Sequence, residues 1–135
     1  MTACVPVIDA WMQHPTPEFM AHEMFASLRR WTGEQMAPRE LPLELTIKAL
    51  DAAGVSTALI SAWWGPDGEL LGNDYVADCV RAFPDRFVGI ASVDLFRPMD
   101  AVRELRRCVQ ELGFKGLRLL PWLWRLPPND RRYYP

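Results

Sequence analysis

The sequence predicts an α/β fold built on a parallel sheet, and three observations carry that prediction. Four short runs rich in apolar and β-forming residues recur at residues 5–12, 55–63, 87–95 and 114–120. Between them lie stretches whose apolar residues fall at helical spacing. The interval from each run to the next suits a crossover, which parallel neighbours require and a tight hairpin cannot provide.

The first run leads through Val5, Val7 and Ile8 into Asp9, Trp11, Gln13 and His14, and Pro15 stops it. It reads as a strand buried on both faces with polar groups gathered at its carboxyl end. Ligands in parallel α/β folds bind outside the carboxyl ends of the strands, so any chemistry is expected here. Thr16-Pro17-Glu18 then opens a helix with a hydroxyl N-cap, a proline in the first turn and an acid at the positive end. Phe19, Met20, Met24, Phe25 and Leu28 give that helix one apolar face as far as Trp31, and Thr32-Gly33 ends it. A loop containing Pro38 follows. The second helix, residues 42–53, buries Leu43, Ile47 and Leu50 and is capped by Gly54.

The second strand is residues 55–63 (VSTALISAW), and Gly65-Pro66-Asp67-Gly68 is a turn. Asn73 is expected to cap a helix whose face is Val76, Val80 and Phe83, broken by Pro84-Asp85-Arg86. The third strand is residues 87–95 (FVGIASVDL). Pro98 and Asp100 open a helix that places Val102, Leu105, Cys108, Val109 and Leu112 on one side, and Gly113 ends it. The fourth strand, residues 114–120 (FKGLRLL), stops at Pro121, and the last ten residues read as a loop entering another helix.

Composition narrows the function. At 135 residues, half of them apolar, the chain can build one domain with a real core. Its formal charge of −2 is too small to point to nucleic acid or a membrane surface, and the pairs Arg29-Arg30, Arg106-Arg107 and Arg131-Arg132 read as solvated helix faces and ends. No apolar run approaches the ~18 residues of a membrane span, and no basic start precedes a signal-like core, so a cytoplasmic location is expected. Cys4, Cys79 and Cys108 are scattered, and the latter two, on helical patterns, are expected to be buried free thiols. There is no phosphate-cradling glycine loop and no Gly-x-Ser-x-Gly elbow, and two histidines with three scattered cysteines do not make an independent zinc site.

Three stretches together resemble the amidohydrolase-related metal-dependent hydrolases, in the branch of aminocarboxymuconate-semialdehyde decarboxylase and related carboxy-lyases. They are residues 49–61 (ALDAAGVSTALIS), 83–89 (FPDRFVG) with the strand after them, and 112–121 (LGFKGLRLLP). The resemblance runs from Val7 to the C-terminus. It implies a (β/α)8 TIM barrel with an active-site metal, often zinc, and implies that this chain is its first half: four parallel strands in order 1-2-3-4, truncated before the rest of a barrel of ~250 residues. A flavodoxin-like domain would instead show order 2-1-3-4. The family's first strand usually ends in Asp-x-His-x-His. Here Asp9 keeps the first position, but Trp11 and Gln13 stand in the histidine positions. Indole offers no lone pair, an amide oxygen is a poor zinc ligand, and alternation aims His14 at the opposite face. No metal is therefore expected in this chain, and zinc or another divalent ion is implied only for the complete barrel.

Strict alternation places Asp9, Trp11 and Gln13, then Ser61 and Trp63, then Ser92 and Asp94, then Arg118 and Leu120 on the inner face. Arg118 inside a parallel strand must be paired. It is either a clamp for a substrate carboxylate or a structural partner of Asp9 or Asp94. Asp9 is a candidate for acid–base work or for fixing its loop. His14 is a candidate general base or a loop histidine without chemistry. His22 reads as a surface residue of the first helix. Trp11 and Trp63 either stack on a conjugated substrate or fill the core. The functional expectation is the N-terminal part of a hydrolase or non-oxidative decarboxylase of a carboxylated small molecule, inactive alone, that self-associates or pairs with a second half-barrel. The alternative is a non-catalytic α/β association module.

Overall fold

The structure, a computed structural model, describes residues 5–33 and 37–134, so Cys4 lies outside it. In chain order the elements are β1 (Ile8–Met12), α1 (Pro17–Ala21), a 3-10 turn (Glu23–Phe25), α2 (Ala26–Thr32), α3 (Leu43–Ala52), β2 (Thr57–Ser61), β3 (Trp63–Gly65), β4 (Gly68–Leu71), α4 (Asn73–Ala82), β5 (Phe87–Ala91), α5 (Pro98–Gln110), β6 (Gly116–Leu117) and a final 3-10 turn (Arg131–Tyr133). The main sheet has the order β1-β2-β5-β6 and every pairing in it is parallel. The four expected strands thus stand side by side in sequential order as half of a barrel wall, which removes the flavodoxin-like arrangement.

The sheet carries one addition. The second strand does not run on to Trp63. It ends at Ser61, and β3 and β4 form an antiparallel hairpin at its carboxyl end. Pro66-Asp67 make its turn and Gly68, at φ 118°, closes it in a conformation that disfavours any side chain. The third and fourth strands are also shorter than the apolar runs that encode them: β5 ends at Ala91, after which the Asn73 side chain of α4 takes the Ser92 N–H, and β6 spans only Gly116–Leu117.

The long helix expected at residues 16–31 is broken in two. His22 leaves helical geometry at ψ 144°, and its Nδ1 accepts the Met24 N–H to start the 3-10 turn. Arg29 folds back to donate to the Met20 carbonyl and to the His22 carbonyl, which also accepts the Phe25 N–H. His22 is therefore a capping residue rather than a surface histidine. The N-cap of α4 is likewise Gly72 and not Asn73, which enters the first turn with its side chain buried. The C-terminal segment forms only the short turn over Arg131–Tyr133, capped by Asp130 through the Arg132 N–H.

The helices cover one face of the sheet. Ala58, Ile60, Phe87 and Ala91 from the strands pack with Leu50, Val76, Ala77, Cys108 and Phe114 in a single core. Fully burying Phe87, Phe114 and Ile60 contributes roughly 1.5–3 kcal/mol each. Gly89 is required where Phe114 crosses β5, since a Cβ there would overlap the phenyl ring. Cys79 and Cys108 are free and buried, and burial next to Glu104 pushes the Cys108 thiol up to about 12, which leaves it protonated and inert. The opposite, inner face carries Thr57, Leu59, Val88 and Ile90, all half-buried, and Ile8 on the edge strand is 58% exposed. In a closed barrel such residues pack against the facing strands. No helix among the described residues is long and apolar enough to cross a membrane.

Candidate functional site

The carboxyl ends of β1, β2 and β6 converge on Arg118. Its guanidinium carbon lies 3.2 Å from the Trp11 ring centroid and 5.9 Å from that of Trp63. Its Nη1 donates to Ser61 Oγ, and the Ser61 hydroxyl donates in turn to the Met12 carbonyl at 3.3 Å. This chain of contacts ties β6 to β2 and β1 and fixes the cation over the indole, where charge meets the negative face of the ring. The other terminal nitrogen, Nη2, is buried and has no hydrogen-bond partner. Burial pushes the Arg118 pKa down from its ordinary value, yet guanidinium stays protonated in proteins.

Neither expected acidic partner reaches it. Asp9 Oδ1 accepts the Trp11 N–H at 2.9 Å, and Asp94 Oδ1 accepts the Phe96 N–H at 2.9 Å. Both are local bonds two residues along the chain, which shape loops and leave the arginine unpaired. The structural pair considered for Arg118 is thus not formed. The reason for Asp9 lies in the register. Asp9 is level with Ala58 and Met12 with Ile60, so two residues of β1, Ala10 and Trp11, oppose the single residue Leu59 of β2. Ala58 and Ile60 both belong to the helix-side core. The bulge reverses the alternation, and Asp9 and Trp11 do not share a face as strict alternation requires.

His14 sits on the helix side, 4% exposed. Its Nε2 donates to the Leu41 carbonyl and its Nδ1 accepts from Thr46 Oγ1, both at 2.8 Å, while its ring lies 6.5 Å from that of Tyr75. Both ring nitrogens are committed to holding β1 against α3, and the ring is not brought to Arg118. Trp63 is buried edge-on to Phe19 at 5.1 Å and to Trp122 at 6.0 Å, forming an aromatic wall beside the guanidinium. Its Nε1, and Gln13 Oε1, are also buried without partners. Unsatisfied buried polar atoms are rare, and several at one end of a sheet mark a place built to meet something else.

The hairpin is anchored by a network that sequence reasoning missed. Asn73 Nδ2 donates to the Ser92 carbonyl and to Glu104 Oε1, both at 2.9 Å, and its Oδ1 accepts the Ser92 N–H at 3.0 Å. Ser92 Oγ accepts the Trp64 N–H at 3.0 Å. Arg107 bonds Glu104 at 2.7 Å and Asp74 at 2.8 Å, and its hydrogen bond holds the Glu104 carboxyl below its ordinary range. Alternation places Ser92 on the inner face. An asparagine at a helix start gives the same local signal whether it caps the helix or reaches 19 residues ahead.

The donor set at this end does not fit a metal ion. Among the described residues no group of three or more His, Cys, Asp or Glu side chains comes together. Trp11 offers a ring rather than a lone pair, and a fixed cation covers that ring.

Comparison with known proteins gives a consistent pattern. The family model described as amidohydrolase matches residues 8–135. Gamma-resorcylate decarboxylase of a Polaromonas species is 38% identical over 74 residues, covering 55% of this chain and 22% of that protein. A TIM-barrel protein of Bordetella bronchiseptica superposes with TM-score 0.68 at 22% identity over 96% of this chain and 50% of its own. A Polaromonas dihydroxybenzoic acid decarboxylase, solved with bound manganese and 2-nitroresorcinol, superposes with TM-score 0.62 at 24% identity over 83% of this chain and 37% of its own. The chain spans half or less of the length of each of these proteins.

Proposed function

Because the chain belongs to the amidohydrolase family, we propose that it forms the N-terminal half of a cytoplasmic (β/α)8 enzyme that decarboxylates or hydrolyses a carboxylated small molecule. The observation that carries this reading is the unpartnered Arg118 Nη2, held over Trp11 at the carboxyl end of the sheet. A guanidinium edge is matched to a carboxylate, and Trp63 and Trp122 supply apolar surface for the rest of a conjugated substrate. The clamp suits a carboxylate that the substrate keeps. A group leaving as carbon dioxide gives up its charge, so a guanidinium holding it would stabilise the ground state over the transition state. Asp9 shapes the β1 bulge and His14 anchors β1 to α3, and both support the site without touching the clamped group. Any divalent ion in the complete barrel would draw its ligands from outside the residues described above.

The half-barrel also exposes strand edges at β1 and β6 and leaves its inner-face residues Thr57, Leu59, Val88 and Ile90 only half-buried. The isolated chain is expected to self-associate through these edges. Light scattering checks this, and a monomer contradicts it. These same open edges favour the second reading, an association module without chemistry. The two readings separate on the coding sequence beyond codon 135 and its product. Further strand–helix units, with carbon dioxide release or hydrolysis of aromatic carboxylates by the completed polypeptide and none by residues 1–135, support the enzyme. A stop codon with a stable, inactive product supports the module.

A further inference from the structure

We infer that the positive charge at the carboxyl end of β1 comes from Arg118 and not from a metal ion, so that the stacked guanidinium forms a metal-independent anion subsite. The inference rests on reading Arg118 as a clamp and goes beyond it by assigning the charge at this position. The relative solved with manganese makes a metal the expectation here, and four features of this chain oppose it.

The first is donor chemistry. The inward residue of β1 is Trp11, whose indole has no free lone pair, and the neutral Gln13 Oε1 is a weak ligand by itself. The second is occupancy, since the guanidinium lies against the Trp11 ring at 3.2 Å and fills the space above it. The third is charge. Arg118 remains cationic, has no carboxylate partner among the described residues, and would face a divalent ion with like charge. The fourth is the sign of two orphan groups at the clamp. Arg118 Nη2 and Trp63 Nε1 are both donors, and the guanidinium carbon is 5.9 Å from the Trp63 ring. Donors call for an acceptor. A carboxylate supplies two oxygens, whereas a metal ion would leave both N–H groups unsatisfied.

The test is calorimetric titration of the EDTA-treated chain with benzoate, with manganese chloride, and with benzoate in the presence of manganese chloride. Benzoate is expected to bind equally well with and without Mn2+, and about 30-fold more weakly to Arg118→Met. Arg118→Lys, which keeps the charge and loses the planar fork, is expected to fall between the two. Mn2+ alone is expected to give no one-to-one binding tighter than about 100 μM. Such binding, or benzoate binding that requires Mn2+, overturns the inference and leaves the clamp reading standing. Benzoate binding under neither condition overturns both. The metal comparison uses the unaltered chain, so a variant that fails to fold leaves it intact.

Discussion

Arg118→Met is expected to weaken carboxylate binding by about 30-fold, or ~2 kcal/mol, while leaving the melting temperature unchanged or raised. The low end of the usual range for breaking a buried charge pair applies because the guanidinium is partly exposed. Methionine keeps an unbranched apolar stem over Trp11 and deletes the charge. The direction of the stability change identifies the role. A cation that held the fold together would be matched by a carboxylate, and its loss would lower stability. Arg118 instead has the Ser61 hydroxyl, an indole face and one empty nitrogen. Removing an unmatched, half-buried charge relieves a desolvation cost, so binding falls as stability holds. Calorimetric binding measured beside thermal melts reads both quantities on the same sample.

The largest loss of stability is expected from Asn73→Ala, at about 3 kcal/mol or more. Alanine leaves the Ser92 N–H and carbonyl without partners in a buried site and removes one hydrogen-bond donor from Glu104. Ser92 in turn holds the Trp64 N–H, so the β3–β4 hairpin and the Trp63 wall lose their anchor as well. The stability of the variant should also depend less steeply on acid. Glu104 is held below its ordinary value of 4.5 first by Arg107 and also by Asn73. A carboxyl with a depressed folded pKa contributes stability that is complete above its unfolded value and is lost as pH falls through the folded one. Without Asn73 the folded pKa rises toward the unfolded one, so less of this contribution remains to be lost, and its loss is complete at a higher pH. Melts recorded from neutral pH down to about pH 3 on both proteins measure the effect.

The parallel order of the sheet was legible because strand-length apolar runs alternate with helical periods, and crossovers between neighbours are short and right-handed. The group at the carboxyl end was legible because alternation places Trp11, Ser61 and Arg118 together and aims His14 away from them. Asp9 was misplaced because a single extra residue in β1 reverses the alternation, and a bulge leaves no pattern in the local sequence. The hairpin was hidden for a related reason. Residues 55–63 contain no glycine, proline, asparagine or aspartate, so none of these turn residues marks the break at Ala62. The break in the first helix rests on Arg29 reaching back to two carbonyls, a tertiary contact that helical periodicity does not encode.

The central claim, that this end of the sheet is built to hold a carboxylate through Arg118, is tested most directly by comparing benzoate with benzamide on the metal-free chain. The two ligands share ring and shape and differ in charge. Calorimetry is expected to show benzoate bound at least about tenfold more tightly, with the preference lost in Arg118→Met. Equal affinity for the two ligands, or a preference that survives the loss of Arg118, contradicts the claim.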